Sequence, residues 1–423
     1  MTTTTTRPPI HTADPLEGEQ RRGLAARISL GRVFAPVSPE FLLIASTALI
    51  LTGFGLVMIL SATAANSAAN GQSPYDSVLK QAMFAAVGIP LMFIASRASV
   101  AFWKKIAWPL LLATTAFQLL VFTPLGDAVN GNRNWIHIGS FQAQPAEFLK
   151  LGLVLWVGAV LARKASLLAS WKHVFIPVVP VAGAVIATDL AGHDLGTAII
   201  LFFIALAALY FAGVKLRMFA IPMLAAVAVV VILAATSEDR RRRIFSFLNP
   251  DCLADYYNTC YQPLHGIWGL ATGGVFGVGL GNSKQKYGWL PVASNDYIFS
   301  IVGEELGLIG CCVVLALFAI FAIAVFRIVR RTDDPFVRIV SGAIVLWIVG
   351  QAFINIAVVL QLLPSFGVPL PLMSQGGTSL VSSLVACGVL LSFTRTLPRR
   401  DAVIEGAAPA AVRPRKKAVT SAR

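Results

Sequence analysis

The 423 residues are 57% hydrophobic and 13% charged, with a mean hydropathy of +0.75 and a net charge of +14. A soluble domain carries about 25% charged residues, so this composition excludes a water-soluble protein as the bulk of the chain. The basic excess is spread as a membrane-topology signal and gives no ground for a nucleic-acid partner.

In chain order, about 40 polar residues come first and predict a disordered N-terminal tail, 1–40. The first apolar run is Phe41 to Ala62, too long for the apolar core of a signal peptide. Further runs cover roughly 81–97, 106–124, 146–163, 174–188, 195–213, 218–236, 298–326, 338–362 and 376–394. Most approach the roughly 20 residues a helix needs to cross the hydrocarbon core, and 174–188 is short. The pattern predicts an all-α polytopic membrane protein of about ten transmembrane helices, in a single domain over 41–394. A long extracytoplasmic loop, 237–297, separates the seventh and eighth spans. A basic tail, 395–423, follows.

Lys and Arg fix the expected orientation. The N-tail carries five, the segments 97–105, 163–172, 215–217 and 327–338 carry three, three, two and four, and the C-tail carries eight. With ten spans, all of these fall on one side. The positive-inside rule makes that side, and both termini, cytoplasmic. Arg240 to Arg243 breaks the pattern, either as a headgroup anchor or as a clamp for a lipid pyrophosphate. Cys252 and Cys260 share the long outer segment, where a disulfide is plausible.

Polar groups gather in four expected outer segments. Asn130 to Trp135, with Arg133, leads to Gln144-Pro145-Ala146-Glu147 and Lys150. Glu147 and Lys150 are three apart, on one helical face. Their plainer roles are a first-turn acid and a snorkelling lysine. Asp194, before Leu195-Gly196-Thr197, has the position of an N-cap. A glycine-rich stretch, Gly273 to Gly281, runs into Ser283, Lys284 and Lys286, then Asn295-Asp296-Tyr297, with Glu304 about 12 Å further along the next helix at the usual rise. Glycines admit close backbone approach to a ligand, and a carboxylate at membrane depth demands a partner. Finally Pro364 to Pro371 blocks a regular helix. The uncharged Ser374-Gln375-Gly376-Gly377-Thr378 then offers hydrogen bonds to a sugar or peptide.

These motifs, in this order over 41–394, resemble the SEDS proteins, the FtsW and RodA family. Those residues are Gln144-Pro145-x-Glu147-x-x-Lys150, Asp194-Leu195-Gly196-Thr197, Gly279-Leu280-Gly281-Asn282-Ser283, Asn295-Asp296-Tyr297-Ile298-Phe299, Gly303-Glu304-Glu305-Leu306-Gly307 and Pro371-Leu372-Met373-Ser374-Gln375-Gly376-Gly377. The resemblance implies a peptidoglycan glycosyltransferase that polymerises lipid II and releases undecaprenyl pyrophosphate. It implies a class B penicillin-binding protein (a septal transpeptidase) and other divisome membrane proteins as partners, at the division septum of the bacterial cytoplasmic membrane. Asp296 matches the family's essential aspartate. Glu147, Lys150 and Arg133 match its acid and basic residues. Ala146 stands where the family usually has serine, and Asn134 where a second arginine is common. The basic tails and the Gly-Asn-Ser-Lys stretch lean towards the division branch.

Transglycosylation needs a base at the attacking hydroxyl and positive charge at the departing pyrophosphate. Asp296 is the candidate base. Lys150, Arg133, Lys284 or a divalent cation, Mg or Mn, are candidates for the phosphates. Asp194, Glu304, Ser374 and Gln375 complete the expected substrate site. The rival readings are a lipid II flippase, which would place charge through the membrane midplane, and the elongation branch of the same family.

Overall fold

In a computed structural model, the described residues are 38–129, 132–139, 141–236, 241, 247, 256–257 and 260–398. Both expected tails lie almost wholly outside them, as do Arg240, Arg242, Arg243 and Cys252. Cys260 is disulfide-bonded, and its expected partner, Cys252, lies outside the described residues.

Eleven helices are described: α1 (Pro39–Ala69), α2 (Asp76–Ala95), α3 (Val100–Leu119), α4 (Ala146–Arg163), α5 (Trp171–Ala191), α6 (Leu195–Phe211), α7 (Ala220–Thr236), α8 (Tyr261–Gly273), α9 (Ile298–Arg331), α10 (Pro335–Val359) and α11 (Gly377–Thr394). Of these, α1, α2, α3, α5, α9, α10 and α11 are long and apolar enough to cross a membrane. α4 is apolar apart from Glu147, Lys150 and Arg163, and α6 and α7 are shorter apolar helices. The expected short run at 174–188 is a full 21-residue helix, with Pro177 and Pro180 inside it. Membrane helices tolerate such prolines because neighbouring groups satisfy the freed backbone.

The helix starts follow local chemistry. The Ser38 hydroxyl accepts from Phe41 N at 3.3 Å ahead of Pro39. Asp334 accepts from Phe336 N at 2.9 Å ahead of Pro335. A side-chain acceptor followed by proline satisfies the first orphan donors and presets φ.

Burial divides the bundle into centre and shell. The apolar stretch of α11 is 89% buried, whereas those of α2, α3 and α5 are 28% buried and turn their side chains to lipid. α4 is enclosed on every face. α2 and α11 make the most extensive helix contact. Gly388 lets them meet closely, since a Cβ there would fall 2.5 Å from Met92 O. Membrane helices associate through such small residues, because apolar burial alone gives no drive in lipid.

The chain is not purely helical. Strands β1 (Gly126–Val129), β2 (Asn132–Ile138) and β3 (Phe141–Ala143) form an antiparallel meander in sequence order. α8 lies within the expected long loop. α9 is broken at Gly307, where φ is 66° and ψ −164°. The glycine-rich loop repairs that break. Val278 N and Gly279 N donate to Glu304 O and Glu305 O at 3.0 Å each, and Leu308 N donates to Gly274 O at 2.9 Å. A Cβ on Gly277 would lie 2.2 Å from Glu305 O. These glycines therefore permit approach to a broken membrane helix, where the expectation was approach to a ligand.

Candidate active site

The four polar segments meet at one end of the bundle. Arg133 N donates to Gly192 O at 2.8 Å, so β2 docks on the turn between α5 and α6. Gln144 N donates to Thr378 Oγ1 at 3.2 Å, joining the start of α4 to that of α11. The opposite end gathers the other helix termini through Lys104–Asp334 at 2.6 Å and Arg331–Glu40 at 2.7 Å.

Asp296 is half-buried and precedes α9. The cap position of α9 is Tyr297, with no side-chain cap bond, so the N-cap role open to Asp296 in the sequence is not the one it takes. Donors from outside hold three successive carbonyls of this stretch. Gln375 N donates to Ser294 O at 2.9 Å, the Ser374 hydroxyl to Asn295 O at 2.5 Å, and Asn355 Nδ2 to Asp296 O at 2.7 Å. The Ser294 hydroxyl also donates to Gln375 Oε1 at 2.6 Å. The Ser374 hydroxyl and the Gln375 amide oxygen are thus engaged with the Asp296 segment. Gly367 lies alongside, with its Cβ direction 3.7 Å from Asp296 Oδ2.

Glu147 and Lys150 form a fully enclosed pair. Lys150 Nζ lies 2.8 Å from Glu147 Oε1 and 3.1 Å from Gln351 Oε1, and 5.5 Å from the Trp347 ring centroid. Lys150 does not snorkel. Nearby, Asp189 is a wholly buried carboxylate hidden inside the apolar run of α5. Gln118 Nε2 donates to it at 2.6 Å, and it lies within electrostatic reach of Asp194, Lys150 and Glu147.

Asp194 is a structural hub. It accepts from Thr197 N and Thr197 Oγ1 at 2.9 Å each, from Asn134 Nδ2 at 2.7 Å and from Gln144 Nε2 at 3.2 Å. Glu304 is also enclosed, with no exposed surface, and accepts from the Ser283 hydroxyl and from Lys284 N at 2.8 Å. Arg133 and Lys284 are the exposed cations of the expected set. Arg133 Nη2 rests on Thr123 O at 3.0 Å.

The buried lysine of the glycine-rich loop is Lys286. It pairs with Glu305 at 3.3 Å, and Glu305 accepts from the Ser61 hydroxyl at 2.6 Å. In the sequence Lys286 reads with Lys284 as a phosphate-holding lysine, and sequence reasoning left Glu305, Ser61, Asp189, Gln351 and Asn355 without a role. For Glu305, Asp189, Gln351 and Asn355, an ionisable or amide group inside an apolar run was the available signal. An apolar cavity of about 390 Å³ lies between α5, α6 and α7, and its lining includes Leu195, beside Asp194.

Residues 41–398 match the model of the FtsW, RodA and SpoVE family, described as cell cycle proteins. A probable peptidoglycan glycosyltransferase FtsW of Mycobacterium tuberculosis is 37% identical over 402 residues, 93% of this chain and 76% of that protein. The stage V sporulation protein E of Bacillus subtilis is 34% identical over 361 residues, 85% of this chain and 97% of that protein. Among solved structures, Thermus thermophilus RodA superposes with a TM-score of 0.62 at 22% identity, over 84% of this chain and 97% of that one. A chain from a peptidoglycan synthase complex, whose structure concerns the coordination of polymerization and crosslinking, gives 0.67 at 22% identity with the same coverage.

Proposed function

The chain belongs to the FtsW, RodA and SpoVE family, and from that premise we propose that Asp296 is the general base of a lipid II polymerase. The protein is a multi-pass membrane peptidoglycan glycosyltransferase. The observation that carries the assignment to Asp296 is its carboxylate, half-buried, on a backbone whose three successive carbonyls are held by other segments. Positioned groups of this kind supply general-base catalysis of about 10²–10⁴-fold.

In the proposed step, Asp296 takes the proton from an acceptor sugar hydroxyl. The oxygen attacks the anomeric carbon of the donor, and the bond from that carbon to the pyrophosphate oxygen breaks. Undecaprenyl pyrophosphate leaves with the electron pair. Arg133 and Lys284, both exposed, are the cations offered to that charge. Lys150 is enclosed and acts through its contacts with Glu147 and Gln351. The apolar cavity beside Leu195 suits the lipid chain of the substrate.

Among the described residues, no three His, Cys, Asp or Glu side chains gather to hold a metal ion. Mg or Mn would need one or two carboxylates together with the substrate's own phosphates, and no step here runs through it. The candidate site residues gather at one end of the bundle, which supports polymerisation over flipping, since a flippase needs sites at the midplane. A class B penicillin-binding protein as partner, the division septum as location and cytoplasmic termini belong to the same proposal. The test is polymerisation of purified labelled lipid II by the full chain, with and without the partner. No glycan under either condition would overturn it.

A further inference from the structure

α10 is a regular helix to Val345, passes through five π-helical residues, Leu346–Gly350, and resumes at Gln351. Such widened turns recur at functional sites because they re-aim the helix face that follows. Trp347, Gln351 and Asn355 are spaced four apart, and therefore share one side of the helix. Trp347 covers Lys150, and Gln351 accepts from Lys150 at 3.1 Å while its Nε2 donates to Pro369 O at 2.9 Å. One turn on, Asn355 Nδ2 forks between Asp296 O at 2.7 Å and Val368 O at 2.8 Å. Two neighbouring carbonyls, Val368 and Pro369, are thus clamped by two amides of one helix face. That face runs from the Glu147–Lys150 pair to the Asp296 backbone.

Asn355 is 1% exposed, and its Oδ1 has no hydrogen-bond partner among the described residues. Its amide is spent on two backbone carbonyls of separate segments, so what it supplies is their placement relative to α10. We propose that Asn355 is a positioning residue for glycosyl transfer, which holds the Asp296 backbone in register with the Lys150 pair. The inference rests on the reading of Asp296 as the base. Asn355 acts through the backbone of Asp296 and Val368, so it governs how well the bound substrate reacts and not how tightly it binds.

The experiment is steady-state polymerisation of labelled lipid II by full-length Asn355→Ala, Asn355→Ser and Asp296→Asn proteins, each checked for folding by thermal unfolding. Misplacement of a catalytic group by about 1 Å can cost about 10²-fold. Asn355→Ala is expected to lose at least about tenfold in kcat, with KM within about twofold of the parent. Asn355→Ser keeps one donor and should fall between the two. A kcat within about twofold of the parent in Asn355→Ala, beside an inactive Asp296→Asn, would overturn the positioning role. A loss confined to KM would overturn it too, as would failure of both Asn355 variants to fold. Near-normal glycan from Asp296→Asn would instead remove the base assignment on which the inference stands.

Discussion

Lys150 and Glu147, three residues apart in the first turns of α4, form an ion pair 2.8 Å long in which each side chain is only 2% exposed. Removing one partner of a buried pair strands the other charge and costs about 3–5 kcal/mol, whereas an apolar replacement of both is often neutral. Lys150→Met alone should therefore lower the unfolding temperature sharply. Glu147→Leu combined with Lys150→Met should recover most of that stability and yet make no glycan. Recovery of glycan synthesis with stability would reduce the pair to a structural bridge.

Asp194 offers a second separation of roles. Asn is as good an N-cap as Asp, so a pure cap would tolerate Asp194→Asn. Here the carboxylate accepts four hydrogen bonds, from Thr197, Asn134 and Gln144. An amide has one acceptor oxygen, and its NH2 would face donors. Asp194→Asn should destabilise by about 1–3 kcal/mol. An unfolding curve superimposable on the parent's would show that the cap bond alone matters.

The glycine-rich loop makes a graded forecast. Gly277 and Gly281 both have positive φ, of 79° and 84°, but a Cβ meets Glu305 O at 2.2 Å in the first and nothing within 4 Å in the second. Gly281→Ala should cost only the left-handed strain, about 1–2 kcal/mol. Gly277→Ala must also push the loop off the break in α9, and should prevent accumulation of folded protein. Equal behaviour of the two variants in expression and thermal unfolding would contradict this account of the break.

Much of the bundle was legible because an apolar run is an almost direct image of a membrane helix. The run at 146–163 is α4 residue for residue. The β meander was not legible, since its strands are at most seven residues long and mix polar with apolar residues. The break at Gly307 was hidden because its compensation comes from residues some thirty positions earlier. Lys284 and Lys286 look alike in sequence, and only the fold shows that the second reaches Glu305. Asp189 was masked by the apolar residues around it. For Asn355 and Gln351 a signal existed, two amides in an otherwise apolar span, although their targets on distant loops could not be read from spacing.

Sidedness is tested at the exposed loop residue Asn282, since its neighbour Ser283 is wholly buried and unsuited to a probe. The positive-inside rule puts the end that carries Asn282 outside the cytoplasm. Asn282→Cys in intact cells should react with a membrane-impermeant maleimide, above the background of the parent chain. Lys104→Cys, at the other end, should react only after permeabilisation. The reverse pattern would invert the orientation.

Asp296 is the proposed base, and its place before α9 sharpens the test. The cap position of α9 is Tyr297 without a side-chain bond, so capping no longer competes as an explanation for a loss of activity. The backbone of Asp296 is held through its carbonyl by Asn355, a contact that Asp296→Asn leaves untouched. The substitution keeps the size of the side chain but removes its charge and its capacity to take a proton. Asp296→Asn should therefore insert and unfold like the parent, still retain labelled lipid II, and polymerise it at least about a hundredfold more slowly, the low end for loss of a general base. Gel separation of the glycan chains measures this directly. Chains of near-normal length and yield would move the base to another carboxylate. Glu304 and Glu147 are both enclosed, so either could serve only if the bundle opened to admit substrate.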